Sequence, residues 1–244
     1  MTVPLGRALS KLGILSRAQA AQAIRNGRVT VAGRVERDPR RQVIPELARI
    51  ALDGVQCSKR PWRTLLFHKP RGVVTTRRDP EGRPTVFDVI GPDAIGLIAV
   101  GRLDRATSGL LLLTNDTQLA NRLADPAHAV PRVYMATVRG EVTAEQQAAI
   151  ERGISSGGER LRAHAVTLLK ASRRESHLTV ELREGKNREV RRLFEAVEHE
   201  VTRLKRVQFG GLEIAALEPG QWRDLSRADV GRAFGLHRSR PRRA

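Results

Sequence analysis

The sequence has very few of the residues that build disulfide frameworks, metal sites and membrane spans. Cys57 is the only cysteine among 244 residues, and aromatic residues make up 3% of the chain. A single cysteine excludes an intrachain disulfide and any multi-cysteine metal site, so we expect a reducing, cytoplasmic environment. The six histidines have no metal-ligand spacing, and we predict neither a metal nor a cofactor. No apolar run approaches the ~20 residues that span a bilayer, so we expect no membrane partner.

Acidic residues are scarce relative to basic ones. Asp and Glu number 26 against 44 Lys and Arg, which gives a formal net charge of +18 at pH 7. Such an imbalance is self-repelling unless a polyanion binds, and nucleic acid is the leading candidate. An anionic membrane is the weaker alternative, because the chain lacks a basic amphipathic helix with a bulky aromatic face.

Residues 1–58 have the pattern of a compact module of two short helices and small strands. Apolar residues recur at helical spacing from Leu5 to Leu12, and Ser16 to Gln19 match a capping box that opens the second helix. A strand pattern then leads to the hairpin signal Asp53-Gly54. A solvated basic face is one interpretation of the polar and cationic side chains here, and RNA binding is the other. The candidate RNA-binding residues are Arg7, Lys11, Ser16, Arg17, Arg25 and Arg28.

The rest of the chain divides by composition into three parts. We predict a linker over residues 59–63, a second domain over residues 64–226 and a basic tail over residues 227–244, disordered from Arg238 onward. Strand and helix patterns alternate irregularly in the second domain. This favours an α+β fold with a mixed, largely antiparallel sheet flanked by helices. The motifs G-x-G-x-x-G, P-loop and H-E-x-x-H are absent from the sequence.

Asp104 is the first candidate for chemistry in the second domain. It lies between Arg102 and Arg105, and residues 110–113, which follow, are all leucine. Such a run is typical of a strand buried on both faces, so we expect Asp104 on a loop that the core fixes at both ends. The carboxylate could be a nucleophile, a base or the anion of a structural ion pair. From this loop alone, the structural ion pair is the favoured interpretation.

A lone tyrosine and a cluster of arginines are the other candidates. Tyr134, on a predicted strand over residues 133–138, could stack on a base or belong to the core. In the helical pattern of residues 190–197 the apolar side chains share one side, and Arg188, Arg191 and Arg192 gather on the other. These arginines form either a solvated face or a set that pairs with Asp104 and binds phosphates. Spacing does not choose between the two.

Four segments together resemble the signature motifs of one enzyme family. They are KPRGVVTT (residues 69–76), DPEGRPTV (79–86), GRLDRATSGLLLLTND (101–116) and EGKNREVRRLF (184–194). The chain is similar, over about residues 5–225, to the RsuA/RluB/RluE/RluF family of ribosomal pseudouridine synthases. The N-terminal module resembles the S4-type RNA-binding domain that accompanies this family, through the pattern Ser-Arg…Gly-Arg-Val-x-Val-x-Gly. Ser108 and Thr117 depart from the family pattern beside the central motif without disturbing it.

The resemblance implies a role for each residue of a uridine pocket. The catalytic aspartate of the family corresponds to Asp104, and its stacking tyrosine to Tyr134, with Arg132 in place of a lysine. The basic partner of the aspartate aligns with Arg191, and Lys186 and Arg188 are the alternatives for that partner. The resemblance otherwise implies that Lys186 and Arg188 bind the substrate. Leu204 would lie beneath the target base, and Arg102 would fill the stack once the uridine has left it.

The implied reaction is the isomerisation of a flipped-out uridine to pseudouridine, without metal or cofactor. Asp104 would attack the ribose C1′ or take a proton in a glycal route. The resemblance favours a ribosomal RNA stem-loop as substrate, in the large-subunit 23S branch similar to RluB, and a monomeric enzyme. A 16S rRNA enzyme is the alternative within the family. A non-catalytic RNA-binding assembly factor with a structural Asp104 is the alternative outside it.

Overall fold

The N-terminal module consists of two helices packed on two small antiparallel sheets. The computed structural model describes residues 2–15, 17–45, 47–58 and 61–236 of the chain. The helices are α1 (Leu5–Lys11) and α2 (Arg17–Arg25). The strands are β1 (Val3–Pro4), β2 (Val29–Val31), β3 (Arg34–Glu36), β4 (Gln42–Val43), β5 (Ile50–Leu52) and β6 (Val55–Gln56). Strand β1 pairs with β4, and the other four form a sheet in the order β3-β2-β5-β6.

The core of this module follows from the helical spacing of its apolar residues. Leu5, Ala8, Leu9 and Leu12 are all buried, as predicted, and they pack with Ile24 of α2. The sequence pattern predicts Ala20, Ala21 and Ile24 on the inner face of α2, and the structure buries Ala20, Ala23 and Ile24. The turn Asp53-Gly54 has φ values of 51° and 80°, as a tight two-residue hairpin requires. The helix predicted to begin at a Ser16 cap begins at Arg17, and Ser16 itself lies outside the described residues.

The second part of the chain is built on one large sheet. Nine strands belong to it, seven of them in the order β13-β14-β10-β15-β9-β7-β17, with β8 on β9 and β16 on β15. These strands are β7 (Thr64–Lys69), β8 (Ile98–Ala99), β9 (Ser108–Thr114), β10 (Arg132–Arg139), β13 (Ala165–Ala171), β14 (Glu175–Leu182), β15 (Val201–Phe209), β16 (Leu212–Glu213) and β17 (Trp222–Asp224). A separate hairpin joins β11 (Ile154–Ser156) to β12 (Glu159–Leu161). Strands β9 and β15 pair in parallel and the other pairs of the large sheet are antiparallel, which confirms the mixed, largely antiparallel α+β fold.

Helices cover the large sheet on both faces. They are α3 (Val86–Ile90), α4 (Thr117–Ala124), α5 (Ala144–Arg152), α6 (Glu189–Glu195) and α7 (Arg227–Ala233), with short 3-10 helices at Gly91–Ala94 and Pro126–His128. Along β9 the leucines alternate between two cores. Leu111 and Leu113 pack with residues of α3, α5 and α6, whereas Leu110 and Leu112 pack with α4 and α7. The prediction that residues 110–113 form a strand buried on both faces is therefore confirmed.

The structure differs from the sequence prediction at three segments. Residues 227–233, predicted as the start of a tail, form α7, because Val230 is buried and Phe234 packs edge-on against Phe209 at 5.3 Å. The remainder of the predicted tail, from His237, lies outside the described residues. Arg63, the end of the predicted linker, is fixed by Asp93 and Asp224. The two valines and two threonines of residues 73–76 predict extended structure, but the segment contributes only an isolated bridge at Val74.

Candidate active site

A cavity of about 290 Å³ opens beside the loop that carries Asp104. Its walls come from residues 100–107, from β10 and β15, and from residues 182–191. All seven residues predicted to form a uridine pocket line this one cavity. They are Arg102, Asp104, Tyr134, Lys186, Arg188, Arg191 and Leu204.

The loop that carries Asp104 is held by hydrogen bonds on both sides of the carboxylate. The Thr75 hydroxyl donates to the Leu103 carbonyl at 2.8 Å, and the Leu103 side chain is buried. The Thr107 amide donates to the Asp104 carbonyl at 3.0 Å, which closes a turn over residues 104–107. Because β9 begins directly after this turn, the position of Asp104 is fixed relative to the buried sheet.

Lys69 supports the same loop from inside the protein. It ends β7, is fully buried, and donates from Nζ to the carbonyls of Thr107 at 2.8 Å and Pro70 at 3.0 Å. Burial lowers the pKa of Lys69 to about 8, and the negative charge of Asp104 partly opposes this shift. The ammonium group of Lys69 is therefore a positive charge near Asp104 that does not line the cavity.

Arg191 lies on α6 beside the Asp104 loop. Its Nη1 donates to the Val201 carbonyl at 2.6 Å, and its Nη2 reaches the Ala106 carbonyl at 3.4 Å. Burial and the nearby Arg188 lower the pKa of Arg191, and Asp104 acts to raise it. Within the described part of the chain Asp104 makes no ion pair shorter than 4.0 Å, so the Arg191 charge acts on Asp104 across a gap.

The aromatic and apolar walls of the cavity come from neighbouring strands. Tyr134 on β10 is 9% exposed, and Leu204 on β15 is 6% exposed. Their strands pair antiparallel, and Tyr134 lies opposite Arg206. Tyr134 and Leu204 belong to the same buried cluster, so a planar base in the cavity would meet an aromatic ring and an aliphatic side chain.

Two buried arginines form the deeper wall of the cavity. Arg132 and Arg206 lie 5.3 and 5.0 Å from the ring centre of Phe209, and each is at most 5% exposed. Arg132 donates to the carbonyls of Val130 at 2.8 Å and Leu123 at 3.2 Å. Burial and the charge of Arg206 lower the pKa of Arg132. Such guanidinium groups combine positive charge with stacking on an aromatic face.

The segment before α6 forms the opposite wall and contains a buried acid. Glu189 accepts a hydrogen bond from the Lys186 amide at 3.1 Å, and burial together with Glu184 raises its pKa to about 8. Arg188 adopts the left-handed conformation with φ 49°. Lys186 Nζ donates to the Arg160 carbonyl at 2.8 Å, which fixes its side chain at the cavity edge.

The prediction that three arginines of this segment gather on one side is wrong for Arg192. The Arg192 guanidinium pairs with Glu159 at 2.6 Å and also donates to Ser156, both on the β11–β12 hairpin. Arg192 does not line the cavity, whereas Arg188 and Arg191 do. The difference arises because the side chains of Ser156 and Glu159 on the β11–β12 hairpin hold the Arg192 guanidinium away from the cavity.

Two protein-family models match the chain. Residues 63–196, which contain Asp104, Tyr134 and Arg191, match the family model described as RNA pseudouridylate synthase. The chain belongs to the RNA pseudouridylate synthase family. Residues 3–46 match the S4 domain model, which confirms the resemblance of the N-terminal module.

Relatives of this pseudouridylate synthase cover nearly its whole length. The chain is 35% identical to ribosomal large subunit pseudouridine synthase B of Bacillus subtilis (strain 168), over 95% of this chain and 96% of the relative. It is 39% identical to the protein of the same name from Escherichia coli (strain K12), over 94% of this chain and 81% of the relative. A solved structure described as a pseudouridylate synthase superposes with a TM-score of 0.67 at 26% identity, covering 95% of this chain and 99% of that one.

The predicted RNA-binding cations of the S4 module differ from one another in exposure and in ion pairing. Arg7, Arg17 and Arg25 are exposed on the two helices, and Lys11 is half-buried at the end of α1. Arg28 is exposed but forms an ion pair with Asp53, Nη2 to Oδ2 at 2.5 Å. Ser16 cannot be compared, because it lies outside the described residues.

Three buried ionisable residues around the synthase site were not predicted from the sequence: Lys69, Glu189 and Arg206. Each is buried, which is uncommon for a charged side chain. Arg206 follows Leu204 by two residues on a strand and therefore shares its face. A charged residue at an inward strand position is the signal that could have identified Arg206.

Across residues 2–15, 17–45, 47–58 and 61–236, no group of three or more His, Cys, Asp or Glu side chains is arranged to hold a metal ion. In the same residues, no helix is both long and apolar enough to cross a bilayer.

Proposed function

We propose that this chain isomerises one uridine of 23S ribosomal RNA to pseudouridine, with Asp104 as the reacting carboxylate. The observation that carries the proposal is the arrangement of Asp104, Tyr134 and Arg191 around one cavity in a chain of the pseudouridylate synthase family. The large-subunit substrate is favoured because the similar proteins of Bacillus subtilis and Escherichia coli are named for it. A ribosomal RNA substrate in turn favours action in the cytoplasm.

The reaction that this arrangement supports begins with extrusion of the uridine into the cavity, at an unstacking cost of a few kcal/mol. Asp104 then bonds to C1′ or takes the 2′ proton in a glycal route, and the C1′–N1 bond breaks. The uracil turns and rejoins C1′ through C5. The C5 proton is lost and N1 gains one, so the product is an isomer and needs no cofactor.

The other cavity residues take supporting roles in this proposal. Tyr134 stacks on the base, and Leu204 packs beneath it. Arg191 stabilises the ionised form of Asp104 through its positive charge. Its hydrogen bond to the Ala106 carbonyl helps to hold the Asp104 loop. Arg102, which is exposed at the cavity mouth, fills the stack when the uridine has left. Lys186 and Arg188 line the entrance and would attract the RNA backbone.

In this proposal, RNA binding and catalysis belong to different parts of the chain. We assign RNA binding to residues 1–58 and catalysis to residues 63–236, which include α7. A stem-loop is the expected target, because sequence-specific RNA recognition mostly reads single-stranded loops with splayed bases. The exposed Arg7, Arg17 and Arg25 supply the sequence-independent attraction to phosphates.

The test is tritium release from 23S and 16S transcripts that contain [5-³H]uridine. The wild type should release tritium from 23S RNA, because C5 loses its hydrogen when it joins C1′. Asp104→Asn should abolish release while RNA binding persists. Asp93→Asn, which makes the same charge change at an Arg63 ion pair outside the cavity, should retain release.

Each alternative has its own outcome in this experiment. Release from 16S RNA alone would move the substrate to the small subunit. RNA binding without release from any ribosomal transcript would contradict the enzyme proposal and favour an assembly factor. Mapping of pseudouridines in ribosomal RNA with and without this protein would then identify the modified nucleotide.

A further inference from the structure

Arg206 uses only part of its hydrogen-bonding capacity, although it is buried in the cavity wall. It is 3% exposed, and its Nε donates to the Leu110 carbonyl at 2.8 Å. Its Nη2 is fully buried and has no hydrogen-bond partner among the residues that the structure describes. A buried donor without an acceptor is uncommon in native proteins, because the group has lost its hydrogen bonds to water without gaining new ones.

Arg132 provides an internal comparison for Arg206. Both guanidinium groups line the same cavity and lie over the Phe209 ring at similar distances. Both terminal nitrogens of Arg132, however, donate to backbone carbonyls of the protein. Arg132 therefore fills a structural role within the described chain, whereas Arg206 retains a donor for something that the chain itself does not supply.

The free donor of Arg206 is held rigidly. Strand β15 runs parallel to β9, with Arg206 beside Gly109, and the Nε bond to Leu110 fixes the plane of the guanidinium group. Phe209 packs against that plane. A donor fixed in this way before the substrate arrives loses little free energy to reorganisation when charge develops nearby.

The charges of the cavity indicate an anionic ligand. Asp104 and Glu189 are the only acids in its lining, and burial with Glu184 raises the pKa of Glu189 to about 8, so that it is mostly neutral at pH 7. The cations of the lining are Arg102, Arg132, Lys186, Arg188, Arg191 and Arg206. An occupant that gains negative charge during the reaction is therefore stabilised more than a neutral one.

We propose that the guanidinium group of Arg206, which lines the cavity, donates to a carbonyl oxygen of the target uracil and stabilises the uracil anion formed during the reaction. This inference rests on the proposed pseudouridine synthase function and adds a catalytic residue to it. When the C1′–N1 bond breaks, its electron pair leaves with uracil and spreads over N1 and the carbonyl oxygens. Asp104 supplies the new bond at C1′ or accepts the 2′ proton. Re-attachment through C5, loss of the C5 proton and protonation of N1 complete the balance.

The test compares uridine with 5-fluorouridine at the modified position of the RNA. Fluorine withdraws electrons, so the departing ring needs less help from the protein. In single-turnover experiments, with loss of the starting nucleotide measured in RNA digests, Arg206→Met should slow the uridine reaction about 10²-fold. The slowing for 5-fluorouridine should be at least tenfold smaller. Arg203→Met removes the same charge from an exposed position of β15 and should leave the ratio of the two rates as in the wild type.

The outcomes separate this inference from the function on which it rests. Equal slowing of both substrates by Arg206→Met, with bound RNA unchanged, would make Arg206 a structural residue and overturn the inference. A wild type that consumes neither substrate would instead overturn the proposed function.

A measurement on the wild type covers the case in which Arg206→Met does not fold. Sulfur accepts hydrogen bonds more weakly than oxygen, so replacing O2 or O4 of the target uracil by sulfur should slow the reaction for the oxygen that Arg206 binds. Unchanged rates for both thio-substituted RNAs would contradict the inference without any protein variant.

Discussion

Gly109 and Arg206 approach each other so closely across the parallel strands β9 and β15 that no side chain fits between them. A Cβ on Gly109 would lie 2.6 Å from the backbone nitrogen of Arg206. Gly109 also has a φ of 113°, which side-chain-bearing residues rarely adopt. Because Gly109 follows the Asp104 loop by a few residues, this contact couples the position of the loop to the buried arginine.

Gly109→Ala is therefore expected to be severely destabilising. The added methyl meets backbone atoms, and the strand pair must separate to accommodate it. We expect a loss on the order of 3 kcal/mol or more in the free energy of unfolding, measured by urea denaturation. Gly158→Ala is the matched control, since Gly158 has a φ of 78° and open space around it. It should cost about 1 kcal/mol. Equal losses for the two variants would show that the close approach does not matter.

Glu189→Gln should remove a pH dependence of stability. The pKa of Glu189 is raised to about 8 in the folded protein from an ordinary value of 4.5. Between these two values the folded state holds a proton that the unfolded state has lost, so the wild type loses stability as pH rises through this window. Glutamine never ionises. The free energy of unfolding of Glu189→Gln, relative to that of the wild type, should therefore increase from pH 5 to pH 8 by an amount on the order of 1–3 kcal/mol.

Urea denaturation of both proteins at pH 5, 6.5 and 8 measures this difference. Glu195→Gln, at an exposed position of the same helix, is the matched control and should change stability by less than about 0.5 kcal/mol at each pH. A constant difference between Glu189→Gln and the wild type over this range would mean that Glu189 is ionised in the folded protein at pH 5.

Much of the fold could be predicted from local sequence patterns. Residues 110–113 indicated a strand buried on both faces. Residues 143–146 match a capping box, which predicts the start of a helix, and α5 begins at Ala144. Strand β13 was missed because it lies at the edge of the sheet. Val166 is its only buried residue, so its apolar alternation is weak. Helix α7 was missed because Val230 alone is buried along it.

The sequence predicted which residues line the cavity, but it did not predict their hydrogen bonds or arrangement. Motif resemblance brought together Asp104, Tyr134 and Arg191, which are distant in sequence and line one cavity. Hydrogen-bond partners depend on the fold. The hydrogen bond from Lys69 to the Thr107 carbonyl could therefore not be predicted from sequence spacing. It also assigned Arg192 to the same side as Arg191, although the β11–β12 hairpin attracts Arg192 away from the cavity.

Arg191 should be required for the chemical step more than for RNA binding. Its guanidinium group donates hydrogen bonds to the Val201 and Ala106 carbonyls beside Asp104. A lysine can replace the positive charge but not this pair of hydrogen bonds. In single-turnover tritium release we expect Arg191→Met to reduce the rate about 10²-fold and Arg191→Lys about tenfold. The dissociation constant for RNA should change by less than about threefold.

Arg192→Met is the matched control for Arg191, since the two residues are adjacent on α6. It loses the ion pair with Glu159 and should lower stability, while the rate per folded molecule stays near that of the wild type. If Arg192→Met slowed release as much as Arg191→Met, the effect would belong to the helix and not to the Asp104 loop.

RNA affinity should depend steeply on salt concentration. Two arginines of the S4 module, one without an ion pair among the described residues and one paired with an aspartate, should contribute differently to this dependence. Each phosphate neutralised on single-stranded RNA contributes a slope of about −0.7 to the logarithm of affinity against the logarithm of salt concentration. Arg25 is exposed at the end of α2, so Arg25→Gln should reduce the slope by about that amount. Arg28 shares its charge with Asp53, so Arg28→Gln should reduce the slope less. Filter binding between about 50 and 200 mM salt measures both slopes. Identical slopes for the two variants and the wild type would mean that this face of the module does not contact RNA phosphates.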